Sequence, residues 1–235
     1  ELGFRIFERQ GREVSLTPAG QIFVTDAQEI VHQYDAMVNR HRPSQALGGV
    51  VKIGLATSMA HLLLPGIIDQ LREQHPQVRL EILTADTNVK LDLLASDQLD
   101  ICLMANHFET TMQLQTQPLC SLSMVWVASP ALVSLSSYSY SAAELSMLPI
   151  ISYAPGTLNA ARTHAFFGVH QNNIRQLTIS NSLGTSIQMA VKGIGAAVLP
   201  TALVKSELAL GQLVAIRTDP QFPDTDHVAI WPRSS

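Results

Sequence analysis

Beyond Gly48-Gly49 the apolar residues fall into short strand-like runs alternating with helical segments, and that order constrains the fold more than any single motif. Val50 to Ala56 reads as a strand, Ser58 to His75 as a helix, Val78 to Ala85 as a strand, Val89 to Ser96 as a helix and Leu99 to Ala105 as a third strand. Strands separated by helices are not joined by tight hairpins, so this βαβαβ order predicts a parallel sheet with right-handed crossovers. Pro65 lies too deep for a first helical turn and is expected to kink its helix or to mark the true start. Leu119 to Ala128 reads as a further strand ending at Ser129-Pro130, the expected crossing point between two domains. The Ser/Tyr-rich stretch Ser134 to Ser141 reads as a loop.

A second alternating set follows: strand Leu148 to Tyr153, helix Leu158 to Phe167, strand Ile174 to Ile179 and helix Leu183 to Lys192. Strand Ala196 to Leu199, helix Thr201 to Leu210 and strand Leu213 to Arg217 complete it. His227 to Trp231, past the Pro-rich stretch Pro220 to Pro223, is a last strand able to return to the first sheet.

The front of the chain has a different pattern. Thr17 can cap a helix and Pro18 is tolerated at its first position. From there Phe23, Ala27, Ile30, Tyr34 and Met37 recur at alternating spacings of four and three, a heptad-like stripe. The breaker-rich stretch from Arg40 to Gly49 sets this helix apart from the body, so its stripe is expected to pair with another copy as a dimerising coiled coil. Leu2-Gly3-Phe4-Arg5-Ile6-Phe7-Glu8-Arg9 opens in mid-motif, and Glu1-Leu2-Gly3 reads as the tail of a helix that starts upstream. Arg5, Arg9 and Arg12 lie close together there, as contacts to a DNA backbone or as a solvated cluster.

With 235 residues, 46% hydrophobic and 14% charged, the chain can bury a sizeable core. A net charge of −4 argues against the body itself gripping nucleic acid, which needs clustered Lys and Arg. No window approaches the roughly 20 apolar residues of a membrane span, and no export signal is legible. Cys102 and Cys120 sit inside strands without CxxC spacing, so buried free thiols in a reducing cytoplasm are expected. The histidines are scattered without metal-ligand spacing, and no nucleophile elbow is present, so no catalytic residue, metal or cofactor is assigned. Gly193-Ile194-Gly195 ends a helix and enters a strand, the reverse of a dinucleotide loop; Gly193 is expected as a left-handed terminator.

In open α/β sheets ligands collect where strands end, often between domains. The turns leaving the strands carry Thr57-Ser58-Met59, Asn106-His107, Ser152-Tyr153-Ala154 and Ser182-Leu183, the candidate ligand-binding residues. Ser58 and Ser182 lead into helices whose unpaired N–H groups suit an anion, unless Thr57, Ser58 and Ser182 serve only as N-caps.

These residues together resemble the LysR-type transcriptional regulators. Leu2 to Arg9 looks like the end of their recognition helix and the approach to the wing, and Leu16-Thr17-Pro18-Ala19-Gly20 like the start of their linker helix. Gly49-Val50-Val51-Lys52-Ile53-Gly54, Leu64-Pro65, His75-Pro76-Gln77-Val78, Leu99-Asp100-Ile101-Cys102-Leu103 and Val191 to Pro200 match further signatures. The resemblance implies an α/β fold of two Rossmann-like subdomains of the type 2 periplasmic-binding-protein kind. Ahead of them it places a long linker helix and a remnant of a winged helix-turn-helix. The implied division is 1–17 for the remnant, 18–42 for the dimerising helix, 50–128 plus 221–235 for subdomain I and 129–220 for subdomain II. It also implies a cytoplasmic, ligand-responsive DNA-binding regulator, a homodimer or homotetramer, with effector contacts on Thr57, Ser58, Met59, Ser152, Ala154 and Ser182. Two helix N-termini and several hydroxyls suggest an anionic effector, a small organic acid. A periplasmic solute-binding protein shares the sensor fold, and a small α/β enzyme is the second alternative.

Overall fold

The computed structural model describes residues 4–10, 13–24, 26–27, 30, 34, 48–110, 112–133 and 139–233, with the backbone alone at 9–10 and 13–15. The chain forms two compact units, Glu1–Leu47 and Gly48–Ser235.

In the first unit, β1 (Phe7–Gln10) and β2 (Glu13–Leu16) pair antiparallel, Phe7 opposite Leu16. The helix then begins as its first residues dictate. Thr17 Oγ1 accepts from the Gly20 N–H at 2.9 Å, and Thr17 N–H donates to the Ile6 carbonyl at 3.0 Å. Gly20 is required by close approach: a Cβ there would collide with that same Ile6 carbonyl. Residues 18–24, 26–27, 30 and 34 are helical. Of the heptad stripe, Phe23 packs edge-on against Phe4 within the chain, Ala27 is half-buried, and Ile30 and Tyr34 are 67% and 60% exposed. Arg5 is exposed and Arg9 lies in β1; Arg12, Met37 and Glu1-Leu2-Gly3 fall outside the described residues.

The second unit holds two five-stranded mixed sheets. Its opening elements are β3 (Gly49–Leu55), α1 (Thr57–Gln74), β4 (Val78–Thr84), α2 (Thr87–Ala95) and β5 (Ile101–Ala105). Next come β6 (Leu114–Leu122), β7 (Met124–Ala128), β8 (Tyr140–Ser141), α3 (Ala142–Ser146), β9 (Pro149–Tyr153) and α4 (Leu158–Phe167). The remainder is β10 (Gln176–Ser180), α5 (Leu183–Val191), β11 (Ala196–Pro200), α6 (Lys205–Ala209), β12 (Val214–Ile216), β13 (Thr218–Asp219) and β14 (Thr225–Pro232). Strand order is β4-β3-β5-β14-β6 in the first large sheet and β10-β9-β11-β7-β12 in the second. Strands β4, β3 and β5 are mutually parallel, as are β10, β9 and β11; the remaining pairings within these two sheets are antiparallel.

Alternate residues of the central strands feed cores on opposite faces, because side chains on a strand alternate. Cys102 and Met104 join Leu91 and Leu94 of α2, while Leu103 joins Met59 of α1. In the second sheet Trp126, Ile150 and Val198 pack on Phe167, and Val127, Ile151 and Leu199 pack on Leu183 and Ala190. Helix α5 ends in a full Schellman motif: Gly193, at φ 74°, donates to Ala190, and Ile194 donates to Met189, both at 3.0 Å. The expected left-handed terminator is therefore present.

Several expectations change. The apolar run Leu119 to Ala128 is not one strand; β6 and β7 part at Ser123 and enter different sheets, so the crossing lies there and not at Ser129-Pro130. Strand β6 is the outer strand, which is why it tolerates Pro118. Pro65 neither starts nor ends α1: the helix runs unbroken from Thr57 to Gln74 with the proline inside, so position 65 donates no N–H to the preceding turn. The segment Thr201 to Leu210 splits into a 3-10 turn at Thr201–Leu203 and α6, and Tyr140-Ser141, expected as loop, pairs with β13. Neither sheet is wholly parallel: β14 does return to the first sheet, but it runs antiparallel to β5 and β6.

Candidate functional site

The carboxyl ends of the six parallel strands open onto one cavity of about 630 Å³ between the sheets. Ala56, Thr57 and Ser58 reach it from β3, Ala85 to Asn88 from β4, Asn106 and His107 from β5, Tyr153 and Ala154 from β9, Ser180 and Asn181 from β10, and Pro200 from β11. Leu122, Met124, Thr225 and His227, on the strands flanking the two crossings, complete the wall.

Four helices begin here. Two of them, α4 and α5, carry side-chain caps: Thr157 Oγ1 accepts from Ala160 N–H at 3.2 Å and Ser182 Oγ from Thr185 N–H at 3.3 Å. The other two do not. The N-cap of α1 is Ala56, which has no side-chain acceptor, and Asp86 at the start of α2 makes no side-chain bond to its helix. First-turn N–H groups without a cap, together with the positive end of the helix dipole, favour an anion on this side.

Lys90 strengthens that field. It lines the cavity yet is 2% exposed, and its Nζ donates to the Ala85 carbonyl at 2.9 Å. Its stem crosses β3 where Gly54 has no side chain; a Cβ there would lie 3.2 Å from Lys90 Cδ and 2.8 Å from a Leu99 methyl. Burial pulls the Lys90 amine below the usual lysine range, with Cys102 and Asp86 opposing. Beneath it the Cys102 thiol is pushed up to about 11 by burial. The two carboxylates on the wall, Asp86 and Glu109, are exposed.

Ser58 and His227 form a polar pair within the wall, Ser58 Oγ standing 3.4 Å from His227 Nε2. His227 Nδ1 lies 2.9 Å from the Thr225 carbonyl, which can only accept, so Nδ1 carries the proton and Nε2 accepts from the Ser58 hydroxyl. Burial holds this imidazole below its ordinary range, more strongly than the Thr225 bond and Asp226 raise it. Helix α4 is tied to the start of β14 next to this pair: Arg162 Nη1 donates to the Asp224 carbonyl at 2.8 Å and to Thr225 Oγ1 at 3.0 Å.

Of the residues expected at the site, Thr57, Ser58, Asn106, His107, Tyr153, Ala154 and Leu183 line the cavity. Met59 does not: it is fully buried in the core under α1, because it sits one position too far into the helix to face the turn. Ser152 lines a neighbouring pocket of about 540 Å³ instead. Ser182 is an exposed cap whose hydroxyl also accepts from Thr185 Oγ1 at 2.9 Å. Ser182→Ala is therefore expected to cost about 1 kcal/mol in a urea melt and to leave ligand affinity within about twofold; an affinity loss exceeding that stability loss would show that the hydroxyl touches the ligand. Tyr153 directs its hydroxyl to the Val198 carbonyl at 2.9 Å, and burial keeps the phenol protonated. The sequence reading missed the turn after β4, Lys90 and His227. Lys90 shares a helix face with Leu94, four residues on, and that spacing marks it as inward-facing.

Among the described residues there is no cluster of metal-ligating side chains, and no helix is long and apolar enough to cross a membrane.

Residues 44–235 match a family model described as the LysR substrate binding domain. The uncharacterized HTH-type transcriptional regulator YxjO of Bacillus subtilis (strain 168) is 26% identical over 245 residues, covering 100% of this chain and 79% of that protein. Full-length OxyR from Pseudomonas aeruginosa aligns in structure with a TM-score of 0.69 at 25% identity, covering 100% of this chain and 81% of its own. An OxyR variant from Corynebacterium glutamicum with H2O2 bound shares the fold at a TM-score of 0.62 and 21% identity, covering 100% and 75%.

Proposed function

The chain belongs to the LysR substrate binding domain family, and on that premise we propose that its body senses a small organic acid held in the cavity between the two sheets. Its relatives are transcriptional regulators, not enzymes. One observation carries the anionic reading: the uncapped start of α1 and the buried Lys90 ammonium share one wall. An anion there meets oriented N–H groups and a fixed cation, neither of which must reorganise on binding. The wall comes from both sheets, so a ligand touching both favours the closed arrangement by its differential affinity.

In the full-length protein this sensor would bias DNA reading in the cytoplasm, through a winged helix-turn-helix of which residues 1–17 are the end. Residues 18–42 would pair copies as a homodimer or homotetramer, a reading supported by Ile30 and Tyr34, which remain exposed on the single chain. For the subdomains we keep the division proposed from the sequence but place its first boundary at Ser123, a choice supported by β6 and β7 entering different sheets.

Direct reaction with a peroxide, the other reading suggested by a structural neighbour, fits this chain less well. Neither cysteine lines the cavity, and the thiol of Cys102 is held protonated by burial, whereas the reactive form is the thiolate.

Thermal shift with matched pairs of carboxylic acids and their primary amides tests the proposal. An acid at a hundred times its Kd stabilises by about 2.7 kcal/mol, roughly 5–10 °C for a chain this long. Amides should give little. If only neutral or cationic compounds raise Tm, the organic-acid reading fails.

A further inference from the structure

The neighbouring pocket shares a wall with the cavity: five residues, His107, Tyr153, Gly156, Thr157 and Leu158, line both. Its chemistry is different. Away from the shared wall it is closed mainly by apolar groups, among them Ala160, Phe167, Ile174, Leu177 and Ile179. No Lys, Arg, Asp or Glu lines it. Leu177 and Ile179 project from the same side of β10, the outer strand of its sheet, and are 48% and 54% exposed. Gly156, at φ 84°, turns the chain at the shared wall without a side chain.

We infer that the ligand is a carboxylic acid with an apolar substituent, whose head lies against Thr57, Ser58 and Lys90 while its tail enters the pocket bounded by Phe167, Ile174, Leu177 and Ile179. This rests on the organic-acid reading of the cavity and adds the class of acid. A polar chamber and an apolar one side by side match an amphipathic molecule better than a small fully polar acid, which would leave Leu177 and Ile179 in water. The exposed Asp86 and Glu109 further disfavour a second carboxylate at the mouth.

Calorimetric titration of the chain with straight-chain monocarboxylates from butanoate to decanoate tests this. Affinity should rise about threefold to fourfold for each methylene that enters the pocket. Leu177→Asp and Ile179→Asp, at half-exposed positions that the fold tolerates, should each weaken decanoate at least tenfold and leave butanoate within twofold. Equal affinities for butanoate and decanoate, or variants that weaken both acids alike, overturn the apolar-tail inference and leave the organic-acid reading standing. Decanol binding as tightly as decanoate overturns the organic-acid reading itself. No binding by any acid of the series rejects both.

Discussion

Lys90→Met is expected to weaken carboxylate binding by roughly ten- to a hundredfold, the worth of a hydrogen bond to a charged group at about 1.5–3 kcal/mol, without unfolding the chain. Lys90 Nζ makes one bond, to Ala85, and retains donors for a ligand oxygen. Met is unbranched and follows the same path over Gly54, so the packing volume is kept. Because burial lowers the amine's pKa in the folded chain, the unfolded chain binds the extra proton as pH rises through that lowered value. Wild-type stability therefore climbs with pH between the folded Lys90 pKa and the ordinary lysine value, and below that window the full desolvation cost is present. The Met variant lacks that cost and should be at least as stable as wild type near neutral pH.

Ligand affinity carries the opposite slope. A bound carboxylate favours the ammonium, so wild-type affinity falls as pH rises through the free protein's Lys90 pKa, while the variant's affinity stays flat. Cys102, Asp86 and His227 are the titratable groups electrostatically coupled to Lys90. Cys102 keeps its proton up to about 11, so its own stabilising effect is lost only from the ordinary thiol range upward. Calorimetric titrations of both proteins from neutral pH up to the ordinary lysine range decide the matter. Equal affinities at neutral pH would remove Lys90 from the ligand site.

Trp126→Ala should cost about 3–5 kcal/mol in a urea or thermal melt, a large share of the roughly 5–15 kcal/mol that keeps a domain folded. Trp126 is the largest side chain in the second core and touches three rings: Phe166, Phe167 and Phe222, with centroids at 5.5, 5.7 and 6.1 Å. Phe166 and Phe167 end α4, whose first residues line the cavity, and Phe222 lies just before β14. The indole thus links the helix to the returning strand. Its Nε1 is buried without a hydrogen-bond partner. Trp126→Phe removes that unpaired donor while keeping an aromatic ring, so it should cost much less than the alanine change. Alanine losing under about 1 kcal/mol, or phenylalanine proving as damaging as alanine, would contradict this account of the core.

Much of the architecture was legible because strand and helix periods leave different marks on the apolar residues. Helix α4 falls at Leu158 to Phe167 as its sequence suggests, and β3, β4 and β9 lie within a residue or so of their apolar runs. The division of β6 from β7 was not legible: a strand leaving one sheet and a strand entering the next are both apolar, and only Ser123 separates them. Thr201 to Leu210 reads as a helix from composition, yet its first turn is 3-10 and Val204 is buried between two short pieces.

Local sequence determined the turn residues at the strand ends, the caps Thr17, Thr157 and Ser182, and the terminator Gly193. Each acts on backbone groups within a few positions, so its role is written beside it. Tertiary structure alone decided which strand ends meet. It took Met59 into the core and brought His227 to Ser58 across 169 positions of sequence. It also placed a lysine, a residue that water ordinarily holds at the surface, against the glycine of a neighbouring strand. Burial and charge at a site depend on what distant segments pack against it, and that is settled only when the sheets close.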